Sequence, residues 1–180
     1  MDNGASSYLR FLNGEEKGFV EIVTEYRDGL VLFISNITRD IHMAEEIADE
    51  TFLKLYMNKP DFKPKYTFKT WLYTIGRNIA TDIVRKQKKM IFSSLDDYYY
   101  ISDNVDIESD YIKSEDSQRL HKAMKNLKKE YSQVLYLLYF ENFAIADAAK
   151  IMGKNKKQTS NLVFRAKNAL KAELEKEGYE

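Results

Sequence analysis

A chain of 180 residues with 44% hydrophobic content is long enough for one medium domain or two small ones with their own cores. It has no cysteine, which excludes a disulfide framework, a thiolate metal site and a thiol nucleophile and suits a reducing cytoplasm. Its 28 basic and 28 acidic residues cancel, but they are sorted along the chain. Residues 1–58 carry 5 basic and 11 acidic, 59–95 carry 9 and 2, 96–116 carry 1 and 8, and 117–180 carry 13 and 7. Two basic blocks alternating with two acidic ones point to two surfaces for a polyanion.

The N-terminal stretch MDNGASSYLRFLNGEEKG lacks the basic head and apolar run of a signal peptide. The longest apolar run, VLYLLYF from Val134, is too short to span a bilayer, so a soluble cytoplasmic protein without membrane insertion is expected. Phe19, Ile22, Val23, Tyr26, Leu30, Phe33 and Ile37 recur at three- and four-residue steps and predict a first amphipathic helix. Ala44, Ile47, Ala48, Thr51, Phe52 and Leu55 predict a second, beginning after the polar Thr38-Arg39-Asp40. Glu45, Glu46, Asp49 and Glu50 crowd that second helix. A carboxylate-bridged metal site in a helical bundle would use Glu-x-x-His pairs. None occurs, and His42 and His121 fall in different halves, so a solvated or protein-docking acidic face is expected, with no metal or other cofactor. A phosphate-cradling Gly-rich loop is also lacking, and no enzymatic activity is expected.

Pro60 and Pro64 bracket the loop NKPDFKPKYTFK, which leads into a third helix, TFKTWLYTIGRNIATDIVRKQKK. On a helical wheel Leu72, Ile75, Ile79, Ala80 and Ile83 share the side expected to pack on the first two helices. Arg77, Thr81, Arg85 and Lys88 lie opposite, left for a partner, and Trp71, Asn78 and Lys89 run along one edge. An indole at that border either stacks on a base or covers the rim of the core. Residues 93–117, SSLDDYYYISDNVDIESDYIKSEDS, are rich in Asp and Ser without a sustained helical period and read as an acidic linker. A plain tether is the simpler reading; the alternative has Tyr98, Tyr99, Tyr100 and Tyr111 docked on a domain and the acids shielding a basic face.

After the linker the chain predicts an apolar helix from about Tyr131 and a short helix, AIADAAKIM. A turn at Gly153–Asn155 then leads to a long helix from Lys156. Ala148 and Ala149 allow a close helix crossing, Gly153 allows the positive φ that ends the short helix, and Asn155 with Gln158 has capping-box spacing. Thr159, Val163, Ala166 and Leu170 form the expected buried stripe, while Lys156, Lys157, Ser160, Asn161 and Phe164 point elsewhere. This is a helix-turn-helix pattern. The expected fold is all-α: a helical domain over 1–92, an acidic linker over 93–117 and a helix-turn-helix domain over 118–180.

EIVTEYRDGLVLF, AEEIADETFLKLY, FKTWLYTIGRNIATDIVRK and, after the linker, SQVLYLLYFENF with AAKIMGKNKKQTSNLVFRAKNAL together resemble a bacterial RNA polymerase sigma factor. The resemblance is to the small, two-domain extracytoplasmic-function (ECF) group of the sigma-70 superfamily, and it covers nearly the whole chain in order. It implies a partner in core RNA polymerase, docked on Glu46, Asp49, Glu50 and Leu53. It implies promoter DNA as the second partner, with the start-proximal (−10) element melted and held by Asp61, Phe62, Lys63, Tyr66, Lys69, Trp71, Arg77, Asn78 and Arg85. The upstream (−35) duplex is then read by Lys154, Lys156, Lys157, Gln158, Ser160, Asn161, Phe164 and Arg165. An anti-sigma factor is a further partner common in the family. Three positions depart from its usual recognition helix: Thr159, Ser160 and Leu162 stand where valine, lysine and arginine are typical. The alternative, a conventional helix-turn-helix regulator with an N-terminal sensor or dimerisation domain, leaves the Pro loop and the basic aromatic helix unexplained.

Overall fold

The computed structural model describes residues 2–63, 65–93 and 114–176, with the side chains of 91–93 left aside. Among these residues it is all helical: α1 (Asn3–Leu12), α2 (Glu16–Thr38), α3 (Ile41–Asn58), α4 (Phe68–Ser93), α5 (Glu115–Lys125), α6 (Lys129–Tyr139), α7 (Ile145–Met152) and α8 (Lys156–Lys176). None of these helices is long and apolar enough to cross a membrane.

The first helix is an addition to the sequence reading. NGASSYLRFL contains residues of weak helical propensity, and what holds it is tertiary. Tyr8 and Phe11 are buried, and Asp2 caps the helix by accepting from the Ala5 N–H at 2.8 Å. The other oxygen of Asp2 accepts from the Phe68 N–H at 3.0 Å, so one carboxylate satisfies orphan donors at the starts of both α1 and α4. α2 and α3 follow the predicted periods. Ile22, Leu30, Phe33 and Ile34 of α2 are fully buried, as are Ala44 and Ala48 of α3, and Asp40 caps α3 through the Met43 N–H at 3.0 Å. α4 buries Phe68, Leu72, Tyr73 and Ala80 against them.

Both ends of the expected linker over 93–117 fall within helices. α4 continues to Ser93 and α5 begins at Glu115, capped by Ser114 through the Ser117 N–H at 3.2 Å. The four linker tyrosines lie outside the described residues. α6 starts at Lys129, two residues before the expected Tyr131. The helix-turn-helix forms as the pattern required. Gly153 ends α7 at φ 63°, Ala148 and Ala149 are buried at the crossing, and the capping box closes reciprocally. The Gln158 N–H donates to Asn155 Oδ1 at 2.8 Å and the Asn155 N–H donates to Gln158 Oε1 at 2.9 Å.

The two halves do not stand apart: α2 packs on α6 and α4 on α7, and the buried residues of both halves form one continuous cluster. Phe33 of α2 stacks on Tyr136 of α6 with centroids 6.4 Å apart, and Tyr73 of α4 meets Phe143 edge-on at 5.2 Å. At the C-terminal end of α2, Arg39 donates to the Leu127 carbonyl at 2.7 Å and to Ser132 Oγ at 2.9 Å, while Lys129 Nζ donates to the Ile37 carbonyl at 2.9 Å. Cations from both halves thus satisfy backbone carbonyls near the seam.

His121 lies in the C-terminal core, 2% exposed, edge-on to Tyr136 and Phe140 at 5.6 and 5.1 Å. Burial, with the nearby charges of Lys125 and Arg39, pulls its pKa from 6.5 to about 4. The unfolded chain therefore takes up this proton first on acidification. The stability contributed by a neutral His121 is complete above pH 6.5 and is lost as pH falls through about 4. The loss amounts to roughly 3 kcal/mol. In urea unfolding between pH 7 and 4, His121→Phe should lose less stability than the wild type by about that amount; parallel curves would refute the assignment.

Candidate polymerase and nucleic-acid interfaces

The outer face of α3 carries Glu46, Asp49 and Leu53 in the open, with Glu50 half-buried. Leu53 is 59% exposed and Met57, one turn on, is 69% exposed, giving an apolar ridge beside the carboxylates. Asp49 already pairs with Arg27 at 2.9 Å and Glu50 with Lys54 at 2.8 Å. Exposed pairs of this kind are worth at most about 1 kcal/mol and are readily exchanged for a partner's cations.

The residues assigned to the −10 element divide into three sets. Asp61 and Lys63 of the loop and Asn78 and Arg85 of α4 are exposed, Arg85 pairing with Asp82 at 3.0 Å. Phe62 and Trp71 are half-buried in an aromatic cluster. The Trp71 indole lies 5.3 Å from Phe62 and 5.5 Å from both Tyr8 and Phe68. Tyr8 fixes the loop by donating to the Pro60 carbonyl at 2.7 Å, and burial followed by the charge of Asp61 raises its pKa to about 12. Trp71 therefore covers the core rim and keeps an open edge.

The third set, Tyr66, Lys69 and Arg77, lies against the C-terminal half. This corrects the expectation for Arg77 alone of the side left for a partner; Thr81, Arg85 and Lys88 are exposed. Lys69 Nζ pairs with the Glu141 carboxylate at 2.7 Å, donates to the Glu141 carbonyl at 3.0 Å and sits 4.9 Å above the Phe143 ring. Lys150 Nζ lies 5.3 Å from the centre of the Tyr66 ring. Neighbouring Thr70 donates to Asp147 Oδ1 at 3.1 Å. The Nε of Arg77 is buried without a hydrogen-bond partner, and burial lowers its pKa from the usual arginine value while the charge of Glu130 works against the shift. Periodicity within α4 carries no trace of this cover, because Glu130, Glu141 and Asp147 are more than 50 residues away in sequence.

Glu141 organises the junction. Tyr136 Oη lies 2.9 Å from its Oε1 and 3.2 Å from the Gly29 carbonyl, sharing one proton between two acceptors. A Cβ at Gly29 would lie 2.5 Å from both Glu141 Oε1 and Tyr73 Oη, so only glycine leaves room for the carboxylate. Burial first, and the Glu141 charge second, hold the Tyr73 and Tyr136 pKa values well above 10 and keep both phenols neutral. Beside the junction opens a cleft of about 560 Å3 whose lining includes Asp2, Glu25, Lys69, Glu141 and Asp147.

The residues assigned to the −35 element are displayed. Lys156, Lys157, Gln158, Ser160, Asn161 and Arg165 are exposed, as is Phe164 at 68%. Lys154, in the turn, pairs with Glu130 at 3.0 Å. Of the departures from the family's recognition helix, Thr159 and Leu162 are buried at 0% and 8%; Ser160 alone faces outward. Thr159 and Leu162 thus contribute to packing, and the reading surface is set by their exposed neighbours. Among the described residues no group of three or more His, Cys, Asp or Glu could hold a metal ion.

An N-terminal bundle ending in a basic aromatic helix, joined to a capped helix-turn-helix, is the arrangement of a sigma-70-type transcription factor. Residues 22–90 match the Sigma-70 region 2 family and residues 117–170 match the Sigma-70, region 4 family. The ECF RNA polymerase sigma factor SigM of Bacillus subtilis is 30% identical over 152 residues, 84% of this chain and 92% of SigM. SigW of the same organism, also an ECF RNA polymerase sigma factor, is 25% identical over 177 residues, 89% of this chain and 91% of SigW. The chain belongs to the ECF RNA polymerase sigma factors of the sigma-70 family. Its function is that of a sigma factor in transcription initiation, and proteins of this kind are generally regulators rather than enzymes. The region 2 match disfavours a conventional regulator with an unrelated sensor domain.

Solved structures share the fold. CnrH, solved in complex with the cytosolic domain of CnrY, superposes with a TM-score of 0.68 at 18% identity, over 97% of this chain and 98% of that one. The sigma factor RpoE from Bartonella quintana, solved with the anti-sigma factor NepR, gives 0.68 at 22% identity, over 88% and 98%.

Proposed function

We propose that the N-terminal bundle docks on core polymerase through Glu46, Asp49, Glu50 and Leu53 of α3. Its loop and α4 hold the melted −10 strand through Asp61, Phe62, Lys63, Tyr66, Lys69, Trp71, Arg77, Asn78 and Arg85. The C-terminal domain reads the −35 duplex through Lys154, Lys156, Lys157, Gln158, Ser160, Asn161, Phe164 and Arg165. The observation that carries this reading is the pairing of unlike nucleic-acid surfaces in one chain. One is an aromatic rim beside cations, suited to unstacked bases and their phosphates. The other is a capped helix with cations and amides in its first turns, suited to a major groove. The protein works in the cytoplasm with polymerase, has no catalytic activity of its own, and is held in check by an anti-sigma factor, as the RpoE structure's partner NepR suggests by analogy.

Transcription in vitro tests the whole reading. Added to purified core polymerase on chromosomal DNA of its source, the protein should generate specific start sites with unpaired thymines reactive to permanganate. A conventional regulator would generate none without another sigma factor.

The docking face is tested by Asp49→Lys with Glu50→Lys. Juxtaposed like charges at an interface cost several kcal/mol. Core binding should weaken by tenfold or more at moderate salt while helical content stays unchanged, and unaltered affinity would remove α3 from the interface.

The C-terminal surface makes a separate prediction. Lys156→Ala or Lys157→Ala at a phosphate contact should flatten the salt dependence of holoenzyme binding by about one unit of log–log slope. Asn161→Ala at a base contact should cost about 1–3 kcal/mol and relax preference at one upstream position. Changes confined to start-proximal sequence preference would show the assignment of α8 to be wrong.

A further inference from the structure

We propose that α1 sets base discrimination on the −10 strand without touching DNA, Tyr8 and Asp2 acting as positioning residues that fix the two ends of the loop between α3 and α4. The inference rests on the assignment of that loop to the −10 strand made above. At its start, Lys59 leaves α3 in the left-handed region at φ 41° and is followed by Pro60, which has no N–H to give to a regular element. The Tyr8 hydroxyl reaches across from α1 and donates to the Pro60 carbonyl at 2.7 Å, while Lys59 Nζ lies 4.9 Å from the ring centre of Phe11, also on α1. At the loop's end, Thr67 Oγ1 accepts from the Thr70 N–H at 3.1 Å and Asp2 accepts from the Phe68 N–H at 3.0 Å. One helix and its cap thus hold both ends. Among the described residues, none of Asp61, Phe62, Lys63 and Tyr66 between them hydrogen-bonds outside the loop. Phe62 is held by packing, 5.7 Å from Phe68 and 5.3 Å from Trp71.

A role in the core alone leaves the hydroxyl unexplained. The Tyr8 ring is 1% exposed among Phe11, Phe68 and Trp71, a place that phenylalanine would fill, so what the hydroxyl adds is the bond to the loop. α1 is in turn held on α2, where Ser7 donates to Glu21 at 2.7 Å and Arg10 pairs with the same carboxylate. A site that tells one base from another must hold its polar groups to within about 0.5 Å. Asp61 and Lys63 are exposed on a segment without regular structure, and the position of such a segment is decided where it is anchored. With the Tyr8 hydroxyl in place the loop meets the strand already ordered. Without it the preferred base must order the loop itself, a cost that an unpreferred base does not incur.

The test uses the full chain with Tyr8→Phe, which keeps the ring and removes the bond, and Ile47→Val as a control that trims the buried core on α3. Trp71 is the chain's only tryptophan and reports on the loop through its contact with Phe62. Its acrylamide quenching constant should rise about twofold in Tyr8→Phe and keep the wild-type value in Ile47→Val. An unchanged constant in Tyr8→Phe would overturn the positioning role. The second readout is made in the holoenzyme, on a promoter the wild type uses and on its single-base variants. At one start-proximal position the ratio of initiation rates between the preferred and the worst base should fall about fivefold in Tyr8→Phe, with core affinity and upstream preference unchanged. Asp2→Asn leaves one acceptor for two N–H donors and should act in the same direction. Wild-type discrimination in both variants would overturn the proposal and leave the −10 assignment standing. A wild type without start-proximal preference would overturn that assignment, and the proposal with it.

Discussion

The Glu141 carboxylate is the point on which the arrangement of the two halves depends. With its side chain 12% exposed, it would be costly to hold as a bare charge, and its cost is offset by Lys69 and by the Tyr136 hydroxyl. The site exists only because Gly29 has no side chain and because Tyr73 and Tyr136 stay neutral beside it. The rings of Phe33, Tyr73, Tyr136 and Phe143 pack on one side of this polar centre, and the cleft lined by Lys69 and Glu141 opens on the other. Such a centre does not loosen by degrees. Separating Lys69 from Glu141 exposes the ion pair and the aromatic seam together, which favours two discrete arrangements over a continuum.

Much of this fold was legible because its helices obey local rules. The capping box at Asn155 and Gln158, the left-handed Gly153 and the buried stripe through Thr159, Val163 and Ala166 depend on residues within a few positions of one another. α1 was not legible because its stability comes from Tyr8, Phe11 and the double use of Asp2, none of which is visible in local propensity. The site residues on α3 and α8 emerged as exposed as the wheel placed them. Of those on α4, Asn78 and Arg85 did so too, whereas Lys69 and Arg77 did not, since a wheel reports which face avoids its own core and not which face another part of the chain will cover. Leu162 shows the converse: it stands where the family carries a reading residue, yet only 8% of it is exposed.

The alternation of charge along the chain now has a more specific meaning. The fourth block is basic overall, but the acids that precede α8, Glu130, Glu141 and Asp147, all lie toward the basic block of α4. Averaging over the block hid them. An acidic shield over a basic face is one reading of the sequence, which places it in the linker; among the described residues it is the α6–α7 corner and Glu130 that form one. Their geometry matters more than their number: Glu141 pairs with Lys69, Asp147 accepts from Thr70, and Glu130 pairs with Lys154 while its charge acts on Arg77.

The same arrangement bears on the order of events at a promoter. On the proposed assignments, the exposed Glu46, Asp49 and Leu53 of α3 and the outer face of α8 are open to core polymerase and the upstream duplex while part of α4 lies against the C-terminal half. Opening exposes the aromatic seam and needs a source of free energy that a lone strand, competing for the occupied donors, is poorly placed to supply. A sigma factor free in the cell would then not sequester single strands. The property that suits the α4 face to DNA, an array of donors beside open rings, is also what allows the protein's own carboxylates to occupy it.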